Sequence, residues 1–186
     1  MNQFLLSVFF LTFLSVTEIS SINAQGVKPI DTVKVVNAIK VQYAAIDSKR
    51  KTYSQYMPDP LGKHKEGVLL IGYYEGQVMK MLNANYYGDS GKTESDHYIN
   101  ETGVILIFSK VYEYISPLSI DRKGTIKSIT ENWYYFYNEE MIKYVSGGKV
   151  IPGGAEEFRK KKEAFKEDFI KTRKLFSNFP SLRKIK

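Results

Sequence analysis

The sequence predicts an α+β fold: an antiparallel β-meander of about six strands, flanked by an N-terminal and a C-terminal helix. Three observations predict it. Between residues 66 and 148, short apolar runs alternate with turns built on Gly, Asn and Asp, and no connection has the length of a parallel crossover. Ahead of this region, apolar residues from Val35 onward recur every three or four positions. Behind it, Phe158, Phe165, Phe169, Thr172 and Phe176 fall on one helical stripe.

Residues 1–24 have the form of a signal peptide. Phe4 to Val16 is a continuous apolar run, short for a bilayer span, and polar Thr17, Glu18 and Ser20 follow it. Ala24 supplies the small residue before a cut that leaves Gln25 first, although the leader carries no Lys or Arg. Its only charged side chain is Glu18, so cleavage takes the formal charge from +7 to +8 and leaves no transmembrane span. The chain has no Cys, which excludes disulfides, thiol catalysis, cysteine metal sites and a lipoprotein anchor. Export without cysteine fits a bacterial periplasm or exterior.

Residues 25–66 read as an N-terminal helical segment. Asp31-Thr32 is a helix start. Val35, Ile39, Gln42, Ala45 or Ile46 and Lys49 form the stripe, widened by Val36, Tyr43 and Ala44. Lys49, Arg50 and Lys51 gather at the end that the helix dipole favours. Pro58, Pro60 and Gly62 stop the helix before residue 61.

Residues 67–150 form the meander, with strands over 68–74, 78–87, 92–99, 104–114, 126–137 and 141–145, and Gly147 and Gly148 closing the sheet. The third strand is polar and reads as wet on one face. The fourth is the most apolar and reads as central. Strict alternation places Val104, Leu106, Phe108, Tyr112 and Tyr114 on one face and Ile105, Ile107 and Val111 on the other. Apolar residues on both faces call for cover on both. A weak repeat runs through the region: Glu75-Gly76 before Val78, Asn100 before Val104 and Asn138 before Met141 each join an apolar residue to an apolar strand. The 14 Tyr and 11 Phe fit a half-wet sheet face, with a stacking platform for sugars or peptides as the rival reading.

The order GYYEGQVMKMLNANYYGDSGK, DHYINETGVILIFSKVYEY and ENWYYFYNEEMIKYVSGG resembles a group of small exported bacterial β-meander proteins of Bacteroidetes type. Those carry an aromatic-turn strand, a G-x-x-G-K turn, a YYF-x-x-G-x-L-x-F hairpin and a late YYF-x-x-x-x-L-I hairpin. The likeness covers about residues 66–148, with His97 and Ile99 standing where aromatics are usual. It implies a meander and export, and implies no activity. The alanine-glutamine leader end is similar to exported proteins of that phylum, where Asp-Thr-Val is similar to an O-glycosylation sequon. Thr32 within Asp31-Thr32-Val33 is thus a glycan candidate, and the helix start competes for the same residues.

Residues 151–186 read as a basic amphipathic helix and tail. From Ala155 to Lys186 there are 11 Lys and Arg against 5 Asp and Glu, net +6, whereas residues 67–154 carry 8 against 10, net −2. Either the Phe stripe packs on the sheet with the lysines in water, or residues 155–186 lie on an anionic membrane face. A nucleic-acid partner is not expected, since no reading motif is present.

His64 and His97 are the only histidines, so a three-histidine metal site is excluded. No catalytic, cofactor-binding or metal-ligating residue is assigned. Glu94, Asp96 and Tyr98 share one face of the third strand, and Thr93, Ser95 and His97 the other. The Glu94/Asp96 pair reads as solvated carboxylates on an edge strand, with cation binding as the rival. Ser95-x-His97 lacks a third triad member, and Gly88-x-x-Gly91-Lys92 lacks the strand-to-helix context of a phosphate loop. Glu94, Asp96, His97, Tyr98, Tyr112, Tyr114 and Tyr135 are the candidates for a binding face. The reading is an exported, non-enzymatic binding or cell-envelope-associated module for an unknown protein or envelope component. The alternative is an envelope hydrolase using carboxylates and tyrosines of the sheet. A hydrolase calls for Glu94, Asp96 or Glu113 converging in a pocket. A binding module calls for an open tyrosine face.

Overall fold

A computed structural model describes residues 30–58, 67–176 and 183–184. The expected signal peptide and His64 lie outside the described residues. The described chain forms α1 (Thr32–Ser48), a 3-10 turn (Arg50–Thr52), β1 (Ser54–Met57), β2 (Val68–Glu75), β3 (Val78–Gly88), β4 (Gly91–Asn100), β5 (Gly103–Tyr114), β6 (Ile126–Tyr137), β7 (Glu140–Ser146), β8 (Lys149–Ile151), α2 (Glu156–Phe176) and the two-residue β9 (Arg183–Lys184).

One antiparallel sheet runs β8-β7-β6-β5-β4-β3-β2-β1-β9. From β1 to β8 every strand pairs with its neighbour in sequence, which is a meander. Eight strands build it, against about six expected. The two additions are short. β1 pairs with β2 through Ser54↔Tyr74 and Tyr56↔Gly72. β8 pairs with β7 through Tyr144↔Ile151 and Ser146↔Lys149. Gly147 and Gly148 therefore do not close the sheet. With φ of 53° and 79° they form the tight two-residue turn into β8, a conformation that non-glycine residues resist.

The first helix is shorter than expected. Asp31 caps it, its carboxylate accepting the Lys34 N–H at 3.0 Å. It ends at Ser48, ahead of the basic run Lys49 to Lys51 and well before residue 61, and the chain then turns into β1. Tyr53 and Tyr56 continue a three-residue spacing, so periodicity alone extends the helix. What overrides it is the open edge of β2, which β1 covers.

The helices lie on opposite faces. Under α1, Val36 and Ile39 pack on Met81, Tyr98, Leu106 and Tyr135. Under α2, Phe158 packs with Ile107, Tyr134, Phe136 and Tyr144, joined by Phe165 and Phe169. A third cluster, Leu70, Tyr74, Leu82 and Ala84, fills the β2–β3 end. Leu106 is wholly buried, as its central strand demands, while Phe108 is half-buried.

Strict alternation fails at the hairpins. Pairing shifts between Tyr98↔Leu106 and Ile99↔Val104, so Ile105 is an extra residue. Val104 consequently packs with the α2-face cluster and Ile105 with the α1-face cluster, the reverse of the alternating assignment. The same shift leaves Lys80 extra beside Met79 and Met81, and Ile142 extra beside Met141 and Lys143. The three bulges sit just after the β2–β3, β4–β5 and β6–β7 turns. They give the weak sequence repeat its structural counterpart.

β4 is also not an edge strand. It sits fifth of nine, between β3 and β5. Its polar residues are therefore interior to the sheet: Asp96 meets Arg50 from the α1 side, and Glu94 and Asp96 take their other donors from β3, β4 and β5. Gly91 begins this strand because a Cβ there would lie 2.1 Å from the Tyr112 carbonyl oxygen.

Candidate functional site

The register lines up two rows on the α1 face. One runs Met81, Tyr98, Leu106, Tyr135 and Lys143, and the next runs Asn83, Asp96, Phe108, Trp133 and Val145. The 3-10 turn after α1 lowers Arg50 onto them. Its guanidinium donates to Asp96 at 2.7 Å, to the Tyr98 hydroxyl at 2.9 Å and to Asp47 at 3.1 Å. Tyr98 in turn donates to Asp47 at 3.0 Å. Burial works against the Arg50 charge, and the Asp96 bond outweighs it, so its pKa is raised. Burial, then the Asp96 charge, raises that of Tyr98.

Asn83 donates to the other Asp96 oxygen at 2.9 Å, and Asn85 donates to Asn83 at 2.8 Å. Glu94, one turn of the pleat further on, accepts from Lys92 at 2.6 Å and from Tyr112 at 2.9 Å. The Lys92 bond chiefly holds the Glu94 pKa below its ordinary value. All four carboxylate oxygens of Glu94 and Asp96 thus have donors. Between them lies a polar cleft of about 230 Å³, walled by Arg50, Asn83, Asn85, Phe108 and Lys110. The Asn85 side-chain oxygen is buried there without a hydrogen-bond partner among the described residues.

Beyond Phe108 the face turns aromatic. The Phe108 and Trp133 rings stand 4.3 Å apart, Tyr43 of α1 meets Trp133 edge-on at 5.9 Å, and Tyr43 meets Tyr98 at 4.7 Å. Between α1 and strands β6 and β7 this leaves an open groove of about 530 Å³, floored by Tyr43, Leu106, Trp133 and Tyr135. Lys40 and Lys143 stand on its two sides.

Of the seven candidate residues, Glu94, Asp96, Tyr98, Tyr112 and Tyr135 share the α1 face. His97 does not. It is buried on the opposite face, its ring 6.4 Å from Phe169 of α2, and burial lowers its pKa to about 4. Tyr114 lies at the far end of β5, its ring against Gly124 of the following loop. Glu113, the third carboxylate considered, faces away and bonds Lys127 at 3.1 Å and Ser128 at 3.0 Å. The three carboxylates therefore do not converge.

Sequence reasoning passed over Arg50, Asn83, Asn85 and Trp133. Arg50 read as part of a basic helix end. The signal available for the asparagines was their spacing: two amides at alternate positions of an otherwise apolar strand share a face. No group of three or more His, Cys, Asp or Glu that could hold a metal ion is present among the described residues, and no helix among them is long and apolar enough to cross a membrane. No protein-family model, curated protein or solved structure matches the chain.

Proposed function

We propose that the protein is an exported binding module of the cell envelope, and that its ligand lies in the groove between α1 and strands β6 and β7. The observation that supports this most is the groove itself. Its volume of about 530 Å³ and its aromatic floor match the size and lining of ligand sites, about 300–1,000 Å³ and mostly apolar. The neighbouring carboxylates favour recognition over reaction. A general acid or base must exchange its proton with a substrate, whereas Glu94 and Asp96 are each held by two donors. Export rests on the apolar run Phe4 to Val16 and on Ala24 before Gln25. The α2 lysines leave a peripheral contact with an anionic membrane open as a second, weaker attachment.

The test combines location and binding. Fractionation and intact mass are expected to find the chain in the envelope or medium, beginning at Gln25. Hydrogen exchange with separated envelope lipid, polysaccharide and protein is expected to show protection on α1, β6 and β7. Protection confined to α2 or to the β1–β3 end would place the ligand elsewhere. Turnover of envelope material that disappears in Glu94→Gln or Asp96→Asn would make the protein a hydrolase instead.

A further inference from the structure

The lysines of the α1 face fall into two groups. Lys80, Lys92 and Lys110 each have a carboxylate partner, Glu75 at 3.7 Å, Glu94 at 2.6 Å and Glu131 at 3.1 Å. Lys40 and Lys143 have none among the described residues. Lys143 instead stands 5.9 Å above the Tyr135 ring, on the groove floor. These two are also the lysines that line the groove, one from α1 and one from β7, and no acidic side chain lines it with them. An apolar trough between two uncompensated ammonium groups repels a cation and gains little from a neutral head.

We propose that the groove binds an anionic amphipath: a molecule with one carboxylate or phosphate head, held between Lys40 and Lys143, and an apolar chain laid over Trp133 and Tyr135. This rests on the groove being the ligand site. Leu106 is wholly buried and Tyr135 nearly so, which makes the floor dry. Val150 on β8 is 61% exposed and carries apolar surface from the groove to the sheet edge, where a chain tail can run out. The Phe108–Trp133–Tyr43 contacts fix the aromatic wall before a ligand arrives, which lowers the ordering cost of binding. The head gains charge-assisted hydrogen bonds from two ammonium groups.

Trp133 is the only tryptophan, so tryptophan emission, excited selectively over the 14 tyrosines, reports on this groove. The probes are dodecanoate, dodecyl phosphate, dodecanol and dodecyltrimethylammonium, each kept below its micelle concentration. Expected are saturable shifts of Trp133 emission with the two anions, and binding of dodecanol and of the cation weaker by roughly tenfold or more. Lys40→Gln with Lys143→Gln is expected to abolish the preference for anions while the melting temperature holds. Lys40→Arg with Lys143→Arg is expected to keep it. Vesicles of an anionic phospholipid that compete for the groove would assign the head to a bilayer lipid, and vesicles that fail to compete would assign it to a free amphipath.

Equal binding of dodecanol and dodecanoate, unchanged in the Gln double variant, overturns the anionic preference and leaves the groove as the ligand site. No saturable shift with any probe overturns the amphipath. If envelope material then still protects α1, β6 and β7 from exchange, the binding module stands without it. If that protection is also missing, both readings fall.

Discussion

Arg50 and Asp96 meet at 2.7 Å, 46 positions apart in sequence, and their contact pins the end of α1 to the middle strand of the sheet. Asp96 is 17% exposed and Arg50 34%, so the pair is largely, though not wholly, out of water. Arg50→Met is therefore expected to cost about 1–3 kcal/mol, because it leaves the Asp96 carboxylate half-paired. Asp96→Asn added to Arg50→Met should recover part of the loss. Urea melts of the four proteins measure the coupling. An additive cycle would show that the contact contributes nothing to holding α1.

His97 gives the protein a pH-dependent stability. Burial under α2 lowers its pKa to about 4, and the nearby Asp96 charge opposes that shift more weakly. The unfolded chain holds a proton on this imidazole below its ordinary pKa of about 6.5, and the folded chain does not until about pH 4. The stability is thus complete above pH 6.5 and falls between pH 6.5 and pH 4, by roughly 3 kcal/mol in all. Glu94, Glu113 and Glu140 have lowered pKa values, and their contributions fade only below the ordinary carboxylate range. His97→Gln should flatten the curve between pH 6.5 and pH 4 in urea melts. A slope as steep as in the parent would mean that another group is responsible.

Leu106 and Phe108 are neighbours of equal parity on β5 with unequal burial. Leu106→Ala is expected to cost about 2–5 kcal/mol, the range for a buried leucine. Phe108 is half-buried at the rim of the polar cleft, so Phe108→Ala should cost less than Leu106→Ala. The reverse order in chemical melts would show that the face under α1 is anchored at the cleft and not at the core.

On α2 the apolar stripe and the lysines separate cleanly. Phe165 meets Tyr134 at 4.7 Å and Phe136 at 5.6 Å. Phe165→Ala should cost about 3 kcal/mol, at the low end for phenylalanine because the side chain is only partly buried. Lys160→Glu should cost little, since that side chain is 75% exposed. Lys162→Glu differs from it, because Lys162 is ion-paired to Glu140 and the reversal sets two negative charges together. Thermal melts that ranked Lys160→Glu above Phe165→Ala would remove the case for α2 as sheet cover.

Much of the sheet was legible because short apolar runs between residues 68 and 145 are separated by turns built on Gly, Asn and Asp. What was lost depends on features that alternation cannot carry. Ile105 reverses the faces of its hairpin by adding a single residue. β1 and β8 are four and three residues long, too short to show a period. Glu94 and Asp96 were correctly placed on one face, but their polarity read as an exposed edge, because Arg50 lies on a distant segment with no local trace of the pairing. Trp133 and Lys143 were ordinary strand residues until the packing of α1 opposite them turned their face into a groove.

The meander order has a kinetic consequence. From β1 to β8 each pairing joins consecutive strands, so loop closure is short and its entropy cost small at every step. Low contact order favours rapid folding for a sheet of this size. A chain that emerges from one end can add each hairpin to the last without waiting for a distant partner. The exceptions are the docking of α1, which Arg50 completes only once β4 exists, and the pairing of β9 with β1. The early hairpins should therefore zip in order, and the groove should form when α1 settles on a sheet already built.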